Sequence, residues 1–99
     1  MEYDLSNRVL ETPDQLWDVL TEFFNLPEWF GRNFDAWHDA LQGGITEAID
    51  GSSVVVIRVA RNGLFRFTVG WAGMYIEATE AGGRGSVIVG PPTDKSMIG

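Results

Sequence analysis

The chain contains no cysteine, a single histidine, His38, and a single lysine, Lys95. The absence of cysteine excludes disulfide frameworks and thiolate metal sites, and is compatible with a reducing compartment. One histidine leaves an imidazole-based metal centre short of ligands. Long hydrophobic runs are also missing: the longest aliphatic stretch, Val54 to Ile57, is far too short to span a membrane. The start, Met1-Glu2-Tyr3-Asp4, lacks the basic residues and apolar run of a signal peptide. These absences lead to the expectation of a soluble, cytoplasmic protein with no membrane association, no metal and no cofactor.

What is present is a core-forming composition. Of 99 residues 44% are hydrophobic, including six Phe, four Trp and two Tyr. A chain of this length makes one domain with a modest core, expected over residues 1–90, and its aromatic content argues against disorder. The net charge is −7 and it is unevenly spread. Between Glu11 and Asp50 nine acidic residues face one arginine, Arg32, for a segment charge of −8. Such a surface repels nucleic acid and anionic membranes and attracts cationic partners. It equally serves solubility, so charge alone leaves both readings open.

Tyr3 and Leu5 alternate with polar residues, as in a short first strand. Thr12-Pro13-Asp14-Gln15 then carries a helix start: Thr12 as cap, Pro13 at the first helical position, Gln15 closing a capping box. Leu16, Leu20 and Phe23, flanked by Trp17 and Val19, extend an apolar stripe to about Phe24. Pro27 and Gly31 break the helix, Gly31 permitting a tight or left-handed turn. A second helix follows Asn33, a good N-cap, with Phe34, Trp37, Ala40 and Leu41 turned inward and Gly43-Gly44 at its end.

After a turn at Asp50-Gly51, the β-branched run from Ser53 to Val59 predicts a fully buried central strand. Asn62-Gly63, followed by alternating Phe65, Phe67 and Val69, favours a β-hairpin, with a short helix as the competing reading. Met74 to Ala81 predicts a helix stopped by Gly82-Gly83. Val87-Ile88-Val89 is the last strand, and residues 91–99 are expected to form a frayed tail. The order predicts an α/β fold: a small three-stranded parallel sheet with three to four helices packed on it.

The second helix is the most informative segment. Asp35, His38 and Asp39 share one face, opposite the apolar stripe, because positions three and four apart are neighbours on a helix. The dipole favours Asp35 in the first turn, whereas Asp39 has no such compensation. A solvated acidic face and a binding face both fit. The preceding loop adds Trp29 and Phe30, which cannot both easily be buried. An exposed ring beside carboxylates makes an apolar anchor with a charge guide; two packed rings would make neither.

The run Leu26-Pro27-Glu28-Trp29-Phe30-Gly31-Arg32-Asn33-Phe34-Asp35-Ala36-Trp37-His38-Asp39-Ala40-Leu41, ending in Gly43, resembles the signature of the barstar family. There a Leu-Pro-Glu-aromatic-aromatic-Gly loop feeds an Asn-apolar-Asp-Ala helix with a second Asp four residues on. The resemblance implies an intracellular inhibitor of a secreted guanyl-preferring ribonuclease, bound as a 1:1 complex with that basic extracellular enzyme. It implies that Asp39 enters the ribonuclease active site in place of a substrate phosphate and that Asp35 pairs with basic groups. Trp29 stands where the family has a tyrosine that packs on the enzyme, and Gly43 matches a backbone contact. Glu77 is the candidate for an outlying acid on the last helix. Phe30, Gly31 and His38 complete the expected partner-binding set. Three features depart from the family: His38 replaces a usual Trp, Gly44 an aromatic, and the link from Val59 to Glu77 is short.

An enzyme is not expected. Asp35, His38 and Asp39 would need further donors to hold a metal, and neither a nucleophile elbow nor a phosphate loop of the G-x-x-x-x-G-K-[ST] kind is present. An acidic module that neutralises a different basic toxin or a nucleic-acid-binding protein is the alternative. RNA binding by the chain itself is disfavoured by the −8 segment and the single lysine.

Overall fold

A computed structural model describes residues 2–43 and 54–92. In chain order these form β1 (Glu2–Asp4), α1 (Pro13–Phe24), α2 (Phe34–Gly43), β2 (Val55–Ala60), a 3-10 turn (Gly63–Phe65), α3 (Gly70–Glu80), a second 3-10 turn (Ala81–Gly83) and β3 (Gly85–Gly90). The strands make a three-stranded sheet in the order β1-β2-β3, parallel throughout. This is the expected α/β architecture, with three α-helices among the described residues. The expected Asp50-Gly51 turn, Ser53, Gly44 and residues 93–99 of the expected tail lie outside them.

The sheet differs from expectation in one respect. In β2, Val55, Ile57 and Val59 are buried while Val56 and Arg58 are half-buried. The β-branched run is therefore covered on one face and not on both. Register puts Glu2 beside Val56, Asp4 beside Arg58, and Arg58 in turn beside Ile88, on the more open face. There the Arg58 guanidinium donates to the Glu2 carboxylate at 2.7 Å, joining β1 to β2.

Helix α1 begins as its sequence dictates. The Thr12 hydroxyl accepts from the Gln15 N–H at 3.2 Å and the Gln15 side chain accepts from the Thr12 N–H at 3.2 Å, so two orphan donors are satisfied reciprocally. It ends on Asn25, which adopts the left-handed conformation with φ 54° and returns its N–H to Thr21. Leu16, Trp17, Val19, Leu20 and Phe24 are buried and Phe23 is half-buried, so the inward stripe ends on Phe24. With Trp37, Leu41, Ile57, Phe65 and Tyr75 these residues form one continuous core. Each fully buried large apolar side chain contributes roughly 1.5–3 kcal/mol.

The hairpin at Asn62-Gly63 does not form. The Leu64 N–H donates to the Leu10 carbonyl at 2.7 Å, while the Phe65 and Arg66 N–H groups bond back to Asn62 and Gly63. That pattern closes a 3-10 turn. Gly63 takes φ +53°, and a β-carbon there would lie 2.6 Å from the Leu10 carbonyl oxygen. Phe65 is buried whereas Phe67 and Val69 are exposed, which a strand burying alternate residues would not produce. Helix α3 also starts earlier than expected, at Gly70.

Candidate functional site

The site is built from the loop between α1 and α2, the outer face of α2, and one turn of α3. After Asn25 the loop sinks Leu26 into the core, then closes a turn in which the Phe30 N–H donates to the Pro27 carbonyl at 3.0 Å. Phe30 packs on Trp17 with ring centroids 6.0 Å apart and is only 8% exposed. Trp29, its neighbour, is 76% exposed. The two aromatics thus divide: Phe30 fastens the loop and Trp29 stands in solvent. Whatever Phe30 offers a partner, it offers through the backbone it holds.

Gly31 is not left-handed; among the described non-glycine residues Asn25 alone takes a positive φ, and Gly31 is absent from the positive-φ glycines. Its constraint is steric. A β-carbon on Gly31 would lie 2.9 Å from the Asn33 side-chain nitrogen. Asn33 caps α2, its side-chain oxygen accepting from the Ala36 N–H at 2.8 Å. The glycine therefore leaves room for the cap that starts the acidic helix.

Helix α2 is fixed by its inner face. Trp37 is fully buried, stacks on Tyr75 at 6.0 Å, and donates its indole N–H to the Thr79 hydroxyl at 2.9 Å. Thr79 in turn donates to the Tyr75 carbonyl at 2.8 Å. At the far end the Gln42 amide donates to the Ala81 carbonyl at 3.3 Å. His38 is half-buried, with Nδ1 3.4 Å from the Ala78 carbonyl oxygen, so it faces α3. Gly43 is the last residue of α2.

On the outer face Asp35 and Asp39 are exposed. Among the described residues no ion pair or hydrogen bond engages either carboxylate. Arg32, the only base of the acidic segment, turns instead to α1, donating to the Asp18 carboxylate at 2.7 Å. Glu77 is exposed on α3 and shares with Asp35, His38, Phe34, Met74, Ala78 and Ala81 an open depression of about 320 Å³. Two carboxylates, Asp35 and Glu77, thus flank a groove with an apolar floor, and Asp39 lies one helical turn beyond Asp35 on α2. Met74, 53% exposed, belongs to that floor and was not singled out in the sequence. Its signal was available, since Met74, Glu77 and Ala78 are spaced to share one helical face.

Such a surface can hold guanidinium or ammonium groups through charge-assisted hydrogen bonds. Among the described residues no group of three His, Cys, Asp or Glu side chains comes together to hold a metal, and no helix is long and apolar enough to cross a membrane.

A three-stranded parallel sheet with an acidic helix held beside an exposed tryptophan defines a small α/β protein of barstar-like fold. The family model Barstar (barnase inhibitor) matches residues 4–65, from β1 through the first 3-10 turn. The chain belongs to that family. Its members are ribonuclease inhibitors, which gives this protein an inhibitor-like role and a ribonuclease as its kind of partner. The matched segment contains Trp29, Asp35 and Asp39, whereas Glu77 lies beyond it. No curated protein matches the chain.

Proposed function

We propose that this protein is a cytoplasmic immunity protein that occludes the active site of a secreted, basic, guanyl-preferring ribonuclease in a 1:1 complex. A ribonuclease grips a phosphodiester with Arg, Lys or His, so its empty cleft concentrates positive potential. Asp39, in the middle of α2, enters that cleft as a phosphate mimic. Asp35 and Glu77 pair with cations on either side of the groove. Trp29 packs on the enzyme rim, Gly31 and Phe30 hold its loop, His38 and Gly43 contact through the α2 surface, and RNA is excluded by the body of the inhibitor.

The observation that carries this reading is the state of the two aspartates. They project from a helix pinned by its buried face, and no cation among the described residues engages them. Carboxylates already desolvated by internal arginines would have little left to offer a partner. Fixed and unpaired, they meet cationic groups with little ordering cost.

The test is titration of barnase activity with the purified protein. Stoichiometric inhibition is expected, and Asp39→Ala is expected to cost more than about 2 kcal/mol of binding, about 30-fold in affinity. Interfaces of this family are a standard example of such charge hot spots, and the figure is carried over from that class. Asp39→Ala binding as tightly as wild type would remove Asp39 from the role. Failure of the wild type to inhibit would turn the reading towards a different basic toxin.

A further inference from the structure

We propose that Arg32 is a positioning residue for the partner-binding loop, acting through the α1 carboxylates Asp18 and Asp14 rather than on the partner. The proposal deepens the inhibitor reading and, for its affinity readout, rests on it.

Trp29 is 76% exposed and has little packing of its own to hold it. Its orientation therefore comes from the residues on either side. One residue on, Phe30 is buried against Trp17 of α1. Three residues on, Arg32 donates to the Asp18 carboxylate at 2.7 Å, reaches the Asp14 carbonyl at 3.5 Å, and lies 4.0 Å from the Asp14 carboxylate. Asp14 and Asp18 are four apart on α1, where like charges repel, and a guanidinium set between them relieves that repulsion. The loop thus touches α1 at two points close together, one apolar and one ionic, and Trp29 precedes both. The same contact draws the only positive charge of the acidic segment away from Asp35 and Asp39.

Two accounts of Arg32 predict opposite signs. If it were only a charge, Arg32→Ala would leave the surface more acidic and strengthen binding to a basic ribonuclease. As a positioning residue its loss frees Trp29 and weakens binding, although the molecule becomes more negative. An exposed ion pair is a modest constraint, so the effect is expected in dissociation and at about three- to five-fold.

The experiment compares wild type with Arg32→Ala, Arg32→Lys, Asp18→Asn and the Arg32→Ala/Asp18→Asn double variant. One arm measures ¹⁵N relaxation of the Trp29 indole in the free protein. The other measures association and dissociation rates with barnase. Expected are a more mobile Trp29 indole in Arg32→Ala and in Asp18→Asn, dissociation about three- to five-fold faster in these two with association unchanged or quicker, partial recovery in Arg32→Lys, and a double variant no worse than Arg32→Ala alone. A thermal midpoint close to wild type shows that the fold is kept. If Arg32→Ala does not fold, Asp18→Asn, which alters only an exposed α1 carboxylate, carries the same two readouts. An unchanged Trp29 indole, or dissociation no faster than wild type, overturns the proposal. Should the wild type not bind barnase at all, the inhibitor reading fails, while the relaxation arm still decides the role of Arg32.

Discussion

Tyr75 lies at the centre of the molecule, in contact with the rings of Trp17, Trp37, Phe65 and Trp71. Its hydroxyl is buried and has no hydrogen-bond partner among the described residues, the Thr79 hydroxyl being engaged by Trp37 and by the Tyr75 carbonyl. Burial pushes the Tyr75 phenol well above its ordinary range, with a lesser opposing influence from Thr79. An unsatisfied buried hydroxyl costs about 1–3 kcal/mol. Tyr75→Phe is therefore expected to leave stability unchanged or raise it by up to about 1 kcal/mol in urea unfolding at neutral pH. The sign with pH follows from the raised folded-state value. Below about pH 10 both states keep the proton and stability is complete. Above it the unfolded chain ionises first, so stability falls as pH rises towards the folded-state value. Tyr75→Phe should flatten that alkaline decline, and an identical decline in both proteins would show that Tyr75 does not cause it. The surface acids contrast with this residue. Glu22 is held below its usual range first by the hydrogen bond from Arg8 and also by that guanidinium's charge. Asp35 and Asp39 have no such internal cation among the described residues.

The acidic helix depends on a short local arrangement. Asn33 caps it, and Gly31 leaves the space in which Asn33 can do so. Asn33→Ala is expected to cost about 1 kcal/mol. Gly31→Ala should displace the same cap, so the two substitutions should combine to less than their sum in a denaturation cycle. Additive losses would separate Gly31 from the cap. Local chemistry of this kind is what the sequence displayed most clearly. The Thr12-Gln15 capping box, the Asn33 cap, the division between Trp29 and Phe30, and the parallel sheet all follow from neighbouring residues and element order. The segment around Asn62-Gly63 did not, because its geometry is decided by a distant carbonyl: the Leu10 oxygen takes the Leu64 N–H and closes a 3-10 turn where turn chemistry favours a hairpin. The first turn of α3 was hidden for another reason. Glycine is a poor helix former, yet Gly73 is where the Thr68 carbonyl approaches, and a β-carbon there would lie 2.9 Å from that oxygen. The Arg32 contact and Met74 depend on which elements lie side by side, and periodicity within one element does not reveal that.

Over the whole molecule the charge is polarised. Apart from Arg32, the arginines lie outside the acidic segment, four of them (Arg58, Arg61, Arg66 and Arg84) in the second half of the chain. The protein therefore presents a directed negative field on the α1–α2 side, which should steer a basic partner to the site. Association with barnase is expected to slow by about tenfold or more from low to high salt, while dissociation changes little, as followed by stopped-flow fluorescence. A salt-independent association rate would show that this field does not guide encounter. The sheet topology has a consequence of its own. Among the described residues β1 pairs with β2 alone, in a register that sets Glu2 beside Val56 and Tyr3 beside Ile57. No adjacent turn can bring such strands together, and the loop between them must close before any of their bonds forms. A nascent chain emerging from the ribosome can wind α1 and α2 early, but it has no sheet to mount them on until β2 has followed. The acidic helix is therefore fixed in place only when synthesis has passed the middle of the chain, and a truncated product ending before β2 would carry both aspartates without being able to hold them in place.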